Sequence, residues 1–139
     1  VVAMEVTMDD AHDVRELPSL VEESGRNVRV ARVIGDGAYD SSRVYGLLGD
    51  PGIEVVVKPK AKARADRGHL ARHRVLEQVR RLGDGVWAEA VGYGRRWAVE
   101  TAYSTFKRLF GEHSLARDRE NIVRELVGQV SLYNMLVNK

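Results

Sequence analysis

The feature that most constrains this chain is the order of its first 57 residues, in which β-prone apolar runs alternate with amphipathic stretches and turn residues. Residues 1–8 read as a strand. Asp13 is placed to N-cap a helix through about Ser24, with Leu17, Leu20 and Val21 on its buried side. Proline is tolerated only in a first helical turn, so Pro18 predicts that this helix starts late. Residues 28–34 form a second β-prone run that ends at Gly35-Asp36-Gly37. Asp40-Ser41 then caps a helix through Leu48, and Gly49-Asp50-Pro51-Gly52 stops it. Residues 53–57, apolar apart from Glu54, have the density expected of a strand covered on both faces. Strand, helix, strand, helix, strand is the order of an α/β sheet with parallel neighbours.

Beyond residue 57 the pattern changes. One helix is expected near 70–82, followed by a short link through Gly83 and Gly85. A long helix is expected over 93–110, stopped by Gly111, and a last one over 119–137 with Ile122, Val123, Leu126, Val130, Tyr133 and Leu136 at helical spacing. The chain has 139 residues, the size of one domain, and its 44% hydrophobic content supports a core of ordinary size. No apolar run approaches the roughly 20 residues needed to span a bilayer, and no secretory leader is visible. With no cysteine, disulfides and thiolate metal sites are excluded, which is compatible with an intracellular compartment. The first residue is Val1 and begins directly in a strand-like run, as expected of a fragment.

The net charge of +2 conceals a segregation. Residues 1–57 carry 5 basic and 11 acidic side chains, whereas residues 58–81 carry 9 basic side chains against Asp66 and Glu77. An acidic segment beside a basic one suits a site that holds cations while gripping a polyanion; the plainer alternative is a solvated loop and helix face. Arginine outnumbers lysine 17 to 5, which favours forked phosphate contacts over point charges.

The most informative segment is Tyr93-x2-Arg96-x3-Glu100-x6-Lys107. On a continuous helix these four residues share a stripe roughly 60° wide along about 21 Å. Val99, Ala102, Phe106, Leu109 and Phe110 fall on a neighbouring arc and are expected to face the core. Singly, each polar residue is better explained as solvated charge, with Arg96 and Glu100 as a helical i,i+4 pair. Jointly, the pattern should arise by chance only about 0.002 times in a sequence of this composition, which favours a built site. Asp36 follows directly on a strand, at the carboxyl end where open α/β sheets bind ligands, and Gly35 and Gly37 leave room for a backbone or phosphate to approach. His12-Asp13 reads as an exposed histidine beside a cap. His69 and His73, at i,i+4 with no third ligand evident, read as basic surface. The aromatics Trp97, Tyr103, Phe106 and Phe110 are expected mostly in the core, with Trp97 placed to stack on an unpaired base.

The Y-x2-R-x3-E-x6-K pattern resembles the signature of a large group of prokaryotic insertion-sequence transposases with a DDE, ribonuclease-H-like catalytic domain. Tyr93-Gly94-Arg95-Arg96-Trp97, Glu100-Thr101 and Phe106-Lys107-Arg108-Leu109-Phe110-Gly111 strengthen the likeness. Upstream, Asp36-Gly37-Ala38-Tyr39-Asp40-Ser41 is similar to the segment around the family's second catalytic aspartate. The resemblance covers essentially the whole chain. It implies an α/β, partial ribonuclease-H-like fold of three strands, flanking helices and a C-terminal helical pair, with residues 58–92 as a basic insertion. It also implies DNA cleavage and strand transfer with Mg²⁺ or Mn²⁺ in a two-ion site, where carboxylates are the natural oxygen donors. On this reading Asp36 and Glu100 are catalytic metal ligands. Tyr93, Arg96 and Lys107, with Lys58, Lys60, Lys62 and Arg64 of the basic stretch, contact double-stranded DNA of the transposon ends and target. The complete protein would act in the prokaryotic cytoplasm, on the nucleoid, as a homo-oligomer.

One departure accompanies the match. The family's first catalytic aspartate lies well upstream of the second, yet only 35 residues precede Asp36, and Asp9, Asp10 and Asp13 read better as turns or caps. If residues 1–8 are the family's third strand, the first two strands are missing, and the isolated chain is expected to be unstable or rearranged and inactive. Two other functional readings stand beside this one. A non-catalytic DNA-binding relic or regulator would keep the basic segment without the chemistry, and another ribonuclease-H-like nuclease would hydrolyse without joining strands.

Overall fold

The computed structural model describes residues 1, 3, 4, 6, 13–64 and 68–138, with the side chain of Asp13 excepted. Its elements are α1 (Asp13–Asn27), β1 (Arg32–Gly35), α2 (Ser42–Gly49), β2 (Glu54–Val57), α3 (Leu70–Leu82), α4 (Asp84–Ala90), α5 (Arg96–Phe110) and α6 (Arg119–Val137). The class is mixed and helix-rich, with a small parallel sheet compatible with α/β.

That sheet pairs β1 with β2 in the register Arg32↔Glu54, Val33↔Val55, Ile34↔Val56 and Gly35↔Val57. Arg32 Nε donates to Glu54 Oε2 at 2.6 Å, so the one polar residue in the third apolar run is satisfied across the sheet. Parallel pairing requires a crossover, and α2 supplies it. Ser41 caps α2 by accepting from the Val44 N–H at 3.3 Å. Val44, Tyr45 and Leu48 of α2 are buried, as are Val56 and Val57 of β2, Leu76 of α3 and Trp87 of α4. This core therefore draws on residues 44–87, each large side chain contributing roughly 1.5–3 kcal/mol. A second, smaller cluster joins the C-terminal helices. The Phe106 ring lies 4.9 Å from Phe110 and 5.8 Å from Tyr133, beside an open apolar cavity of about 520 Å³ between α5, α6 and residues near Val1.

Several expectations are corrected here. Three strands were expected; among the described residues the sheet has two. The first expected strand falls partly outside the described residues, and Val1, Ala3, Met4 and Val6 are not in a strand. His12 and the capping role of the Asp13 side chain also lie outside them. The helix α1 does not start late: it begins at Asp13 and carries Pro18 inside. Proline lacks one donor, and the Ser19 hydroxyl nearby donates to the Glu16 carbonyl at 2.9 Å. The second strand is shorter than its apolar run: residues 28–31 link α1 to a strand that begins only at Arg32. The expected link at 83–92 contains α4; Gly83, at φ 80°, turns the chain between α3 and α4, a conformation glycine adopts freely.

The expected core face of α5 is only partly covered: Ala102, Phe106 and Phe110 are half-buried, whereas Val99 and Leu109 are exposed, and no residue of the helix is fully buried. Helical periodicity identifies the apolar face but does not guarantee a neighbour to cover it. In α6 the expected periodic residues Ile122, Val123, Leu126 and Val130 are half-buried and Tyr133 is buried, while Leu136 is exposed.

The loop before α6 is held by Glu125, which accepts from the Ser114 hydroxyl at 2.7 Å and from the Leu115 and Ala116 N–H groups at 3.1 and 3.0 Å. These donors, the Ser114 hydroxyl foremost, hold the Glu125 carboxyl below the usual glutamate range. A depressed folded pKa gives stability that is present above the unfolded value of about 4.3 and is lost as pH falls through the folded one. Glu125→Gln should therefore lower Tm at pH 7, and the gap to the unmodified protein should narrow as the pH falls below about 4, as followed by circular dichroism melts.

Candidate functional site

The site begins where the two parallel strands end. Because Gly35 pairs with Val57, Asp36 and Lys58 leave the sheet side by side at its carboxyl edge. The turn after β1 is built by Asp36 itself. Its Oδ1 accepts from the Ala38 N–H at 2.8 Å and its carbonyl from the Tyr39 N–H at 3.1 Å, giving a 3₁₀ turn over Gly37–Tyr39. Gly35 sits in a tight place: a β-carbon there would lie 3.1 Å from the Tyr39 ring, which would have to shift slightly. Gly37 is close to the first basic residue, a β-carbon on it meeting the Lys58 carbonyl at 3.5 Å.

The helix α5 brings the other half. Arg96 Nη1 lies 2.7 Å from Glu100 Oε1, and Arg96 Nη2 lies 3.9 Å from Asp36 Oδ2. One guanidinium thus stands between two carboxylates that are 64 residues apart in the chain. The Asp36 and Glu100 side chains are 47% and 60% exposed, so both are open to an incoming ligand. Their chemistry fits Mg²⁺, which takes hard oxygen donors, keeps several waters and is commonly held by one or two carboxylates plus substrate phosphate. Among the described residues no group of three or more His, Cys, Asp or Glu gathers into a metal cluster.

The remaining expected site residues are dispersed. Tyr93 is not on the long helix. It sits in a 3₁₀ turn, Tyr93–Arg95, that precedes α5, half-buried with its ring 5.7 Å from Trp87. Lys107 lies on α5 but away from Asp36, with its Nζ 3.3 Å from Glu112 Oε1 and 4.9 Å from the centre of the Tyr103 ring. Lys58 pairs with Asp84 of α4 at 2.9 Å, and this hydrogen bond raises its pKa above the ordinary lysine value. Lys60, Lys62 and Arg64 are exposed on the loop that follows β2. His69 is not merely basic surface: it N-caps α3, with Nδ1 accepting from the Ala71 N–H at 3.2 Å and Nε2 3.1 Å from Asp50 Oδ1. Trp97 is 65% exposed, as a stacking role would need.

Sequence reasoning missed Asp40. It does not cap α2, a role that Ser41 alone performs. Its side chain is fully buried and faces Arg72 of α3, whose Nε and Nη2 donate at 2.7 and 3.0 Å to the two carboxylate oxygens. The Lys60 N–H adds a third bond at 2.9 Å. The carboxylate raises the Arg72 pKa further, and burial, then the Asp40 charge, pushes the Tyr45 hydroxyl up to about 12. The only hint in the sequence was the second acid of Asp36-x3-Asp40; nothing marked Arg72 among its basic neighbours.

The parallel carboxyl edge, the paired acids and the basic loop together describe a domain suited to phosphodiester chemistry on a polyanion. The model of the transposase DDE domain family matches residues 1–135, and the chain belongs to that family. No curated protein and no solved structure matches it. Members of the family are transposases of mobile elements; they act on DNA and use divalent metal ions. Among the described residues no helix is long and apolar enough to cross a membrane.

Removing one member of a buried ion pair strands the other. Asp40→Ala should cost about 3 kcal/mol of unfolding free energy, read by urea titration, and Arg72→Met should cost at least as much, because it strands the fully buried Asp40 carboxylate.

Proposed function

We propose that this domain, within the complete transposase, takes part in cutting the ends of an insertion sequence and transferring them to target DNA, with Asp36 and Glu100 as two of its metal-holding carboxylates. The observation that carries the reading is the convergence of both acids on the Arg96 guanidinium, at 3.9 and 2.7 Å. Carboxylates this close repel one another unless a cation lies between them, and Arg96 supplies that charge in the free protein. When bound, Mg²⁺ or Mn²⁺ would activate the attacking oxygen and stabilise the leaving one in an in-line displacement at phosphorus.

The chain's own residues prepare that step. The Ala38 N–H fixes Asp36 through Oδ1, which leaves Oδ2 as the atom offered to the site. Arg96, released from the carboxylates, has a fork suited to the phosphate at the reacting bond. Lys60, Lys62 and Arg64 bind flanking phosphates from the neighbouring loop. Tyr93 and Lys107 position the strand along α5. The third carboxylate of the family's triad is not assigned to any described residue, and the 139-residue chain by itself is read as binding DNA without completing the reaction.

The test is Mn²⁺ titration of the 139-residue chain with a duplex oligonucleotide, blanked against the DNA alone. Asp36→Ala and Glu100→Ala should each weaken Mn²⁺ binding at least tenfold while duplex affinity falls less than threefold. Unchanged Mn²⁺ affinity in both variants, with DNA binding intact, would sink the catalytic assignment and leave a non-catalytic DNA-binding protein.

A further inference from the structure

We propose that the buried Asp40–Arg72 pair is a positioning device that presents the basic loop to the DNA backbone. The inference rests on the DNA-binding part of the reading above. Two bonds tie this pair to the path of the loop, and a third closes the loop on itself. The Lys60 N–H donates to Asp40 Oδ2 at 2.9 Å, Arg72 Nη1 donates to the Arg64 carbonyl at 3.2 Å, and the Ala63 N–H closes a turn onto the Lys60 carbonyl at 2.8 Å. Arg80, further along α3, donates to the Ala63 carbonyl at 3.4 Å. The bonds engage the main chain of residues 60, 63 and 64 and leave the Lys60 and Lys62 side chains exposed.

The geometry also links the loop to the candidate metal ligand. Asp36 and Asp40 bracket one 3₁₀ turn, in which the Asp40 N–H donates to the Gly37 carbonyl at 3.3 Å. The short segment that aims Asp36 at the site thus ends in the carboxylate that anchors the loop. A loop of like charges repels itself, so holding it open toward a polyanion requires a fixed frame, and a buried fork-to-carboxylate contact supplies both charge balance and direction. Asp40 and Arg72 touch no phosphate on this account; they act through Lys60, Lys62 and Arg64.

Duplex binding of the 139-residue chain, measured by fluorescence anisotropy over a series of KCl concentrations, tests the proposal. Each phosphate contact contributes about 0.9 to the slope of log K against log salt. Asp40→Asn, checked for retained helix content, should weaken binding at least tenfold and flatten that slope by about two contacts. Lys60→Ala with Lys62→Ala should flatten it similarly, and adding Asp40→Asn to that pair should change little more, because the two act on the same contacts. Arg72→Lys keeps the charge but loses the fork, and should flatten the slope by about one contact; it carries the test if Asp40→Asn does not fold. A folded Asp40→Asn or Arg72→Lys protein with the original slope overturns the proposal, as does full additivity with the lysine changes. Such a result leaves the DNA reading standing, whereas failure of the unmodified chain to bind any duplex overturns both.

Discussion

A carboxylate with no contact to water must be met by donors on every side, and in this protein that requirement falls on Asp40. It is the one buried charged residue among those described. Desolvating an ion of this size costs several kcal/mol even after relaxation, so the geometry around it cannot be loose. The Arg72 fork and the Lys60 N–H meet both oxygens. To place those donors, α3 must lie against the end of the turn after β1, and the chain leaving β2 must double back over it. An apolar pair of similar volume could hold the same elements with equal strength. What such a pair could not do is dictate the direction in which a main-chain N–H and a guanidinium approach. The ion pair is therefore better understood as setting where the basic loop runs than as the main source of stability, which lies in Val44, Tyr45, Leu48, Val57 and Trp87.

The second organising constraint is strand polarity. Parallel strands expose their carboxyl ends at the same edge, and the register places the residues after Gly35 and Val57 together. An acid and the start of a cationic loop are thereby brought into one neighbourhood although 21 residues separate Asp36 from Lys58. The segregation of charge along the chain, acidic before residue 57 and basic after it, becomes a division of labour at that edge. Arg96 completes it by standing as a counter-charge between Asp36 and Glu100. On the proposed function Arg96 holds the place of a metal ion, and both acids remain about half exposed to receive one.

How far this was legible in the sequence depended on whether the signal was local. The helices over 70–82 and 119–137 were read with their observed bounds, since helical spacing and the glycine at 83 are local signals. The pairing of two apolar runs across a helix also followed from their order. The Tyr93 position failed because helical spacing was extended through residues that form a tighter turn, with Gly92 at φ 64° just before it. The helix α4 was missed because two glycines within three residues resemble a linker, yet Trp87 is buried and anchors it. The expected core face of α5 held only in part, for a different reason: burial depends on what lies opposite, which no periodicity contains. Asp40 was hidden in the same way, because its partner lies 32 residues on, in a segment crowded with other cations.

That contrast bears on how the Tyr93–Lys107 signature should be understood. The stripe does not converge on one point. Arg96 lies between Glu100 and Asp36, but Lys107 is 11 residues beyond Arg96, about 16 Å along the helix at 1.5 Å per residue. A single phosphate cannot be shared across that distance. Successive phosphates on one strand of B-form DNA advance about 3.4 Å along the axis, so the interval from Arg96 to Lys107 matches roughly five of them. On the proposed function, a strand lying along α5 with its reacting bond near Asp36 and Glu100 and its flank near Lys107 would account for the spacing. In the free protein Lys107 is paired with Glu112 and packed on the Tyr103 ring, an exposed arrangement that a phosphate could replace with little loss. On the proposed function the signature suits a track for a polymer better than a pocket for a small substrate.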